Sequence, residues 1–146
     1  TGVQTCALPI CLVIDSGTAV TCCYVDQEGV YQGGIIFPGM RISSLALASH
    51  TAKVPLIYVS PKDQLLGKTT KEAVETGLYR GYIYLINGFI ESYRQRYPTV
   101  TVIGAGRGLS VLREQLAIDD FVEDLVLDGL LWCLKSLKIE EKNETV

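Results

Sequence analysis

The chain lacks several features that would assign it to a specialised class of protein. No apolar run reaches the roughly 18 residues that a membrane-spanning helix needs. Lys and Arg together number 13 against 16 Asp and Glu, so there is no basic stripe for nucleic acid or an anionic membrane. With 48% hydrophobic and 20% charged residues in 146, the composition is that of one globular domain. We therefore expect no nucleic-acid partner and no membrane partner.

The cysteines and the histidine lack the spacing of a disulfide framework, a zinc site or a catalytic triad. The five cysteines are odd in number and form no C-x-x-C pair. Cys22 and Cys23 are adjacent in a β-branched segment, which favours strand packing over redox chemistry. His50 is the single histidine and has no Ser or Cys at triad spacing. Reduced thiols of this kind indicate a cytoplasmic protein.

The first ten residues, T-G-V-Q-T-C-A-L-P-I, differ from the rest of the chain. They show no clear hydrophobic period, they do not begin with Met, and they resemble the translation of a common DNA-sequencing adapter. Foreign segments of this kind are set aside when a fold is derived. We expect residues 1–10 to be non-native and the native chain to continue upstream of Cys11.

Beyond residue 10, the hydrophobic pattern predicts a layered α/β domain. Three short strands come first, and the turn signals between them favour an antiparallel meander. A long helix follows, in which Gly77, Gly81 and Gly88 suggest close packing against another backbone, or a subunit interface if they share a face. The predicted strands cover 11–15, 19–25, 30–37 and 99–103, with an extended segment at 54–59, and the predicted helices cover 41–50, 73–97, 109–116 and 126–137.

The strongest candidate site lies where the first predicted strand ends, in the sequence I-D-S-G-T-A-V-T at 14–21. Asp15 enters a tight turn at Gly17, flanked by the hydroxyl groups of Ser16 and Thr18. A carboxylate, backbone N–H groups and hydroxyl groups around one small volume are what a phosphate and a cation require. An ordinary strand–turn–strand hairpin explains D-S-G-T equally well, so both interpretations stay open on these residues.

A second motif, L-G-K-T at 66–69, looks like the end of a P-loop. The full motif needs Gly at position 62, where this chain has Lys62. Thr69 or Thr70 with Glu72 close behind is typical of a helix N-cap and its first turn. The sequence therefore favours the start of a helix over a P-loop.

The glycine-rich segment from Gly104 to Gly108 lies between a predicted strand and a predicted helix. It is either a turn that approaches a nucleotide closely or a plain strand-to-helix turn. The acidic group from Asp119 to Asp128 favours a solvated loop and helix start over a metal site.

As an ordered set, the motifs resemble those of type III pantothenate kinases over nearly all of residues 11–146. The matching motifs are D-S-G-T-A-V-T at 15–21, G-x-Y-x-G-G-x-I-x-P-G at 29–39, L-A-L at 45–47, T-A-K-V-P at 51–55, G-K-T-T-x-E-A-x-x-x-G at 67–77 and L-x-L-x-G-L at 125–130.

The resemblance implies the fold and the activity of that family. The fold is an α/β ribonuclease-H-like lobe of the actin-like/sugar-kinase superfamily, in which a three-stranded meander is followed by helices and further strands. Such kinases are cytoplasmic homodimers that transfer the γ-phosphoryl group of ATP to the 4′-hydroxyl of pantothenate, the first step of coenzyme A biosynthesis. Residues 11–146 would then be the C-terminal lobe, with the N-terminal lobe missing.

The resemblance also implies roles for individual residues. Asp15 matches the ligand of a monovalent cation, potassium or ammonium, while Gly17 and Thr18 match contacts to the ATP phosphates, and Mg²⁺ is expected with the ATP. Thr70 matches a residue that touches pantothenate, often across the dimer. Phosphoryl transfer depends on positioning and charge neutralisation, which groups of these types supply.

The sequence departs from the family pattern at three points. No segment matches the D-x-G-N-T phosphate loop or the G-x-D-R segment whose Asp is the proposed base, so no catalytic residue is assigned. Cys23 stands where the family usually has Asp, and G-A-G at 104–106 stands where it has T-G-G. We expect the chain to be inactive alone and either to associate or to be poorly soluble, because of apolar surface that the missing lobe would cover.

Two alternatives stay open at this point. One is a non-enzymatic, transcription-accessory relative of the same family, and the other is a different small-molecule kinase of the superfamily.

Overall fold

The computed structural model describes the backbone of residues 10–143 and the side chains of residues 10–137. Apart from Ile10, the segment expected to be non-native lies outside the described residues.

A five-stranded sheet forms the centre of the described chain. Its strands are β1 (Cys11–Ser16), β2 (Ala19–Val25), β3 (Tyr31–Pro38), β4 (Thr101–Ala105) and β5 (Asp120–Phe121). Their spatial order is β3-β2-β1-β4-β5, and the first three pair antiparallel, which confirms the predicted meander. β4 pairs parallel with β1, and β5 parallel with β4. The carboxyl ends of these three strands therefore lie at one edge of the sheet.

Three α-helices accompany the sheet in the described part of the chain, and they are α1 (Met40–His50), α2 (Thr70–Arg96) and α3 (Leu125–Asn143). α2 begins with a capping box, in which Thr69 Oγ1 accepts a hydrogen bond from the Glu72 N–H at 3.2 Å and the Glu72 carboxylate accepts one from the Thr69 N–H at 3.3 Å. The Lys68 N–H donates to the same carboxylate at 2.8 Å. L-G-K-T is thus the N-terminal cap of α2, as expected, and no P-loop forms there.

One face of the sheet packs against α1 and α2 and forms the core. Leu12 and Ile14 of β1 are fully buried and alternate with partly exposed residues, as in a strand with one covered face. The helix side of this core consists of Tyr79, Tyr82, Ile83, Ile86 and Ile90. On the opposite face, the register neighbours Val13, Cys23 and Ile103 stay partly exposed.

The connection between α1 and α2 is held to both helices by polar contacts. Ser44 Oγ accepts from the Ile57 N–H at 2.9 Å and donates to the Ile57 carbonyl at 2.7 Å, both buried. Further along, Ser60 Oγ donates to Glu75 at 2.7 Å and Lys62 Nζ lies 3.2 Å from the same carboxylate. The extended segment predicted at 54–59 therefore exists, but side chains of the helices hold it and no strand pairs with it.

Two predictions about the second half of the chain are wrong. Instead of a helix at 109–116, two short 3₁₀ turns form at Arg107–Leu109 and Arg113–Gln115. The prediction followed from the helical spacing of three buried residues, Leu109, Leu112 and Leu116. The backbone N–H of each bonds to the carbonyl three residues earlier, as in a 3₁₀ turn. The expected close packing of the α2 glycines within the chain is also absent, because no described atom outside the helix lies within 4 Å of a Cβ built at Gly77, Gly81 or Gly88. Their alternative place in a subunit interface stays a prediction.

The acidic segment contains a strand that the sequence did not predict. Just before β5, Asp119 Oδ2 accepts from the Val102 N–H at 2.8 Å and Asp119 Oδ1 pairs with Arg94 at 2.7 Å. Asp119 therefore joins β4 to α2 and is more than a solvated charge. The helix predicted at 126–137 is confirmed as α3, and no helix in the described range is both long and apolar enough to cross a membrane.

Candidate functional site

A cleft of about 590 Å³ opens at the carboxyl ends of β1 and β4. Its walls are the β1–β2 turn, the first turns of α1 and the glycine-rich turn after β4. The parallel pairing of β1 and β4 sets Asp15 opposite Ala105, which brings the two turns side by side. Open α/β sheets bind ligands at this edge, outside the carboxyl ends of parallel strands.

The β1–β2 turn supplies the polar groups that the sequence predicted. Asp15 is half-buried, Ser16 is buried, and Gly17 and Thr18 are exposed towards the cleft. The Gly17 N–H donates to the Ala19 carbonyl at 2.9 Å, which closes the turn. The structure therefore brings Asp15, Gly17 and Thr18 together in one cavity, as predicted.

The glycine-rich turn approaches this β1–β2 turn so closely that side chains are excluded. Gly106 has φ +81°, and a Cβ there would overlap Asp15 Oδ1 and lie 2.7 Å from the Ser16 carbonyl oxygen. A Cβ at Gly108 would overlap Ser16 Oγ and lie 2.6 Å from the same carbonyl. Of the two interpretations of residues 104–108, the structure therefore favours a turn that takes part in the cleft.

Helix α1 starts directly behind the β1–β2 turn. The Gly39 N–H donates to the Thr18 carbonyl at 3.0 Å, and a Cβ at Gly39 would lie 2.6 Å from the Gly17 carbonyl oxygen. The N-cap residue Gly39 has no side chain, so none caps the first amides of the helix. The N-terminus of α1, with the positive end of the helix dipole, therefore lies next to the Thr18 end of the β1–β2 turn.

Two arginines that the sequence analysis missed line the same cleft. Arg41 belongs to the first turn of α1 and Arg107 to the glycine-rich turn, and both are exposed. Neither belongs to the two ion pairs of the described residues, Lys62–Glu75 and Arg94–Asp119. Two guanidinium groups and a helix N-terminus against the single carboxylate of Asp15 make the cleft suitable for an anion such as phosphate. The sequence signals were P-G-M-R and G-R-G, in which an Arg stands beside a glycine turn.

A smaller apolar cavity of about 170 Å³ adjoins the cleft and shares Ser16, Gly17, Arg41 and Gly108 with it. Its other walls include Leu56 to Val59, from the segment that Ser44 fixes. The combined site therefore offers a polar end and an apolar end to one ligand.

Thr70 lies apart from the cleft of its own chain. It is the exposed first residue of α2 and does not line the cavity that contains Asp15. A separate groove of about 390 Å³ runs nearby between Leu66 and the exposed face of α2 at Gly77 and Gly81. The structure thus unites three of the four predicted site residues and leaves Thr70 on another surface.

The donors in the cleft fit some cations better than others. Asp15 Oδ1 and the Ser16 carbonyl oxygen converge on Gly106, so two oxygens share one small volume. Among the described residues, no three His, Cys, Asp or Glu side chains form a group that would hold a metal ion. One carboxylate with one carbonyl oxygen is too small a ligand set for a dedicated divalent-cation site, and Mg²⁺ bound by so few protein groups relies on substrate phosphates.

The residues set aside in the sequence lie outside the cleft. His50 is exposed in the last turn of α1. Cys22 is buried in the core, where desolvation, followed by the neighbouring Cys23, raises the pKa of its thiol to about 11. Cys22 is therefore protonated at neutral pH and serves as a small core residue.

The fold and the cleft define a mixed α/β domain with a candidate ligand site at the carboxyl ends of its parallel strands. The family model for type III pantothenate kinase matches residues 3–92, which is more than half of the chain. The chain belongs to the type III pantothenate kinase family. The match begins inside the segment 1–10, whose origin stays a prediction.

Curated relatives agree with this family. The chain is 37% identical over 121 residues to the type III pantothenate kinase of Listeria innocua serovar 6a, and 35% identical over 120 residues to that of Exiguobacterium sibiricum. Each match covers 82% of this chain and 47% of the relative. The chain therefore spans about half the length of the curated relatives it matches.

A solved structure from Campylobacter jejuni, described as a conserved Baf family transcriptional activator, has a similar fold. It superposes with a TM-score of 0.60 at 19% sequence identity, over 100% of this chain and 69% of that one. At this identity the likeness supports the fold alone.

Proposed function

We propose that the chain is the C-terminal lobe of a kinase that transfers the γ-phosphoryl group of ATP to the 4′-hydroxyl of pantothenate. The enzyme would be cytoplasmic and would catalyse the first step of coenzyme A biosynthesis. The observation that carries the proposal is the cleft, in which Asp15, Gly17 and Thr18 meet the glycine-rich turn in a chain of this family.

The sheet supports the finer assignment of the fold. Three antiparallel strands followed by two parallel ones, in the order β3-β2-β1-β4-β5, are what a ribonuclease-H-like lobe would require. In the actin-like/sugar-kinase superfamily, ATP lies between two such lobes. The cleft at the edge of this sheet would be the corresponding half of that site.

The ATP phosphates would bind at the β1–β2 turn. The exposed Thr18 hydroxyl would donate to a phosphate oxygen, and the exposed backbone of Gly17 would allow close approach. The α1 N-terminus and the Arg41 guanidinium add positive charge on the same side. These groups position the nucleotide and offset its charge, which is the protein's main contribution to phosphoryl transfer.

A monovalent cation, potassium or ammonium, would be held by Asp15 together with the Ser16 carbonyl oxygen, whose convergence on Gly106 supports the assignment. When bound, it would neutralise phosphate charge beside Thr18. Mg²⁺ would arrive with ATP, because Asp15 is the one carboxylate that lines the described cleft.

Pantothenate binding would involve Thr70 in a homodimer. Thr70 is exposed and stands outside its own cleft, so the partner subunit's Thr70 is the one that would complete the site. The exposed side of α2 carries Gly77, Gly81 and Gly88 with open space above each, which suits the close approach of a second helix. The general base would come from the missing lobe, so the isolated chain would bind ligand without turnover.

The test uses a joined protein. In it, the half of the Listeria innocua relative that this chain does not match is placed ahead of Ile10 of this chain. This joined protein is titrated calorimetrically with a non-hydrolysable ATP analogue in potassium and then in sodium buffer, after cooperative thermal unfolding has shown that it is folded. We expect tighter binding in potassium, and Asp15→Asn should abolish the difference.

Asp120→Asn, an exposed carboxylate at the start of β5, is the matched control and should retain the potassium effect. A folded joined protein that binds no ATP analogue would overturn the proposed function. Equal affinity for the ATP analogue in potassium and in sodium buffer would overturn the proposed role of Asp15 as a cation ligand.

A further inference from the structure

The hydroxyl group of Tyr82 is hydrogen-bonded at the point where α1 begins. Tyr82 lies near the middle of α2 and is 7% exposed. Its hydroxyl donates to the Pro38 carbonyl at 2.6 Å and lies 2.7 Å from Ser43 Oγ. A phenol carries one hydroxyl proton, and here that proton is directed at Pro38, so the Ser43 hydroxyl is the donor in the second bond. Tyr82 therefore joins α2 both to the end of β3 and to α1.

The bond to Pro38 continues to the β1–β2 turn through a single peptide unit. The peptide bond between Pro38 and Gly39 is trans, so its carbonyl and its N–H point in opposite directions. The carbonyl accepts from Tyr82, and the N–H of the same unit donates to the Thr18 carbonyl at 3.0 Å. Hydrogen bonds in such a chain polarise and strengthen one another. One continuous chain of hydrogen bonds therefore runs through Ser43, Tyr82, the Pro38–Gly39 peptide and Thr18.

The Pro38–Gly39 peptide is also packed tightly against the β1–β2 turn. A Cβ at Gly39 would lie 2.6 Å from the Gly17 carbonyl oxygen and 2.7 Å from that of Thr18. A displacement of this peptide would therefore displace the backbone of Gly17 and Thr18. These two residues are the ones that the proposed function places against the ATP phosphates.

An ordinary core role explains only part of this arrangement. A buried tyrosine hydroxyl usually finds a hydrogen-bond partner, and many buried carbonyls would serve. Tyr79, one turn earlier on α2, is as deeply buried at 6% exposed. No hydrogen bond joins the Tyr79 hydroxyl to another described residue, whereas the Tyr82 hydroxyl has two such bonds. Both rings fill the core, but only the Tyr82 hydroxyl is connected to the candidate phosphate turn.

We propose that Tyr82 is a positioning residue for the nucleotide, which holds the β1–β2 turn through the Pro38–Gly39 peptide. The inference rests on the proposed function, since it takes Gly17 and Thr18 to contact the ATP phosphates. Tyr82 acts through the peptide and not on the ligand. It fixes the Thr18 backbone, so that the Thr18 hydroxyl and the N-terminus of α1 are in place before ATP binds. A site ordered in advance binds more tightly, because binding does not have to order the turn.

The test removes single hydroxyl groups from the joined protein. Tyr82→Phe removes the hydroxyl and keeps the aromatic ring, whose centroid lies 6.1 Å from that of Phe37. We expect the dissociation constant of the non-hydrolysable ATP analogue to rise about tenfold in this variant. Ser43→Ala removes only the far end of the hydrogen-bond chain and should raise the dissociation constant about threefold. Tyr79→Phe is the matched control and should leave the affinity unchanged.

Two readouts separate positioning from a simple loss of folded protein. In calorimetry, unfolding lowers the number of sites titrated and leaves the dissociation constant of the remaining sites unchanged. Positioning instead changes the dissociation constant at the full number of sites. Amide hydrogen exchange at Gly39, measured without nucleotide, reports on the hydrogen-bond chain itself. It should be several-fold faster in Tyr82→Phe than in Tyr79→Phe.

The outcomes distinguish the two proposals. Equal affinities of Tyr82→Phe, Tyr79→Phe and the parent would overturn the positioning role and leave the proposed function in place, and so would an effect on the number of sites alone. Unchanged exchange at Gly39 would show that the Tyr82 hydroxyl does not hold the peptide. If Tyr82→Phe failed to fold, equal affinity of Ser43→Ala and the parent would overturn the role of the chain. A folded parent that binds no ATP analogue would reject the proposed function and the positioning role together.

Discussion

The carboxylate of Asp15 lies against the backbone of Gly106, with no room between them for a single methyl group. The Ser16 carbonyl oxygen lies on the same side, 2.7 Å from where a Cβ at Gly106 would stand. Two turns that are about 90 residues apart in sequence are thus packed together through parallel pairing of β1 and β4. This contact joins the candidate cation ligand to the glycine-rich turn and defines the floor of the cleft.

The substitution Gly106→Ala should destabilise the fold and impair the site together. The methyl group would overlap Asp15 Oδ1, and φ +81° is unfavourable for alanine. We expect a loss of about 2 kcal/mol or more in the free energy of unfolding, measured by urea denaturation of the chain. Gly129→Ala is the control, because that helical glycine of α3 faces open space and the change should stabilise by up to about 1 kcal/mol. Equal effects of the two substitutions would contradict the packing described here.

Much of the fold was predictable because its first half follows local rules. Alternation of apolar residues in β1 and β2, and the turn signal before β3, are carried by neighbouring residues. β5 was missed because it has two residues and is fixed by Asp119, which bonds to β4 seventeen positions earlier. No local pattern reveals such a contact. Leu109, Leu112 and Leu116 likewise show helical spacing, while tertiary packing sets them in 3₁₀ turns.

Ser44→Ala should release the segment that forms the apolar end of the site. Its hydroxyl satisfies both the N–H and the carbonyl of buried Ile57, and alanine would leave both groups without a partner. We expect a loss of about 1–3 kcal/mol in unfolding free energy and faster amide hydrogen exchange at Ile57. Ser136→Ala, on the exposed surface of α3, should change stability by less than about 0.5 kcal/mol. Unchanged exchange at Ile57 would mean that Ser44 does not hold this segment.

The Glu75 carboxylate should make stability depend on pH in the acid range. The Ser60 hydroxyl, followed by Lys62, holds the pKa of Glu75 below its ordinary value of 4.5 in the folded chain. Its contribution is therefore complete above that value and is lost as pH falls through the lower pKa of the folded state. The stability difference between the parent and Glu75→Gln should shrink as pH falls from 7 to roughly 3. The same series with Glu91→Gln, an exposed position on α2, should show little difference at any pH.

Arg41→Ala should weaken nucleotide binding without affecting the fold. The side chain is exposed at the cleft and forms no ion pair among the described residues, so its removal leaves no buried charge. In the joined protein we expect the dissociation constant of the ATP analogue to rise about tenfold, or about 1.4 kcal/mol. Arg96→Ala, at the far end of α2, should leave binding unchanged. If Arg41→Ala and Arg96→Ala bound the ATP analogue with the same affinity, Arg41 would not contribute to the nucleotide site.

The candidate site was only partly visible in the sequence, for a physical reason. Asp15, Gly17 and Thr18 form one turn, so their proximity follows from local sequence alone. The contribution of Arg41 depends on α1 starting behind that turn, with Gly39 pressed against the Thr18 carbonyl. The place of Gly106 depends on the pairing of β1 with β4. Thr70 was tied to the site by resemblance alone, and in the structure it stands on a different surface.

The most direct test of the central claim is transfer of phosphate from ATP to pantothenate, followed by mass spectrometry of the pantothenate product. The joined protein in potassium buffer should form 4′-phosphopantothenate, Asp15→Asn should reduce the rate strongly, and the 146-residue chain alone should form none. Robust turnover by the chain alone would contradict its assignment as one lobe of the enzyme. A folded joined protein that binds ATP but never phosphorylates pantothenate would contradict the proposed substrate.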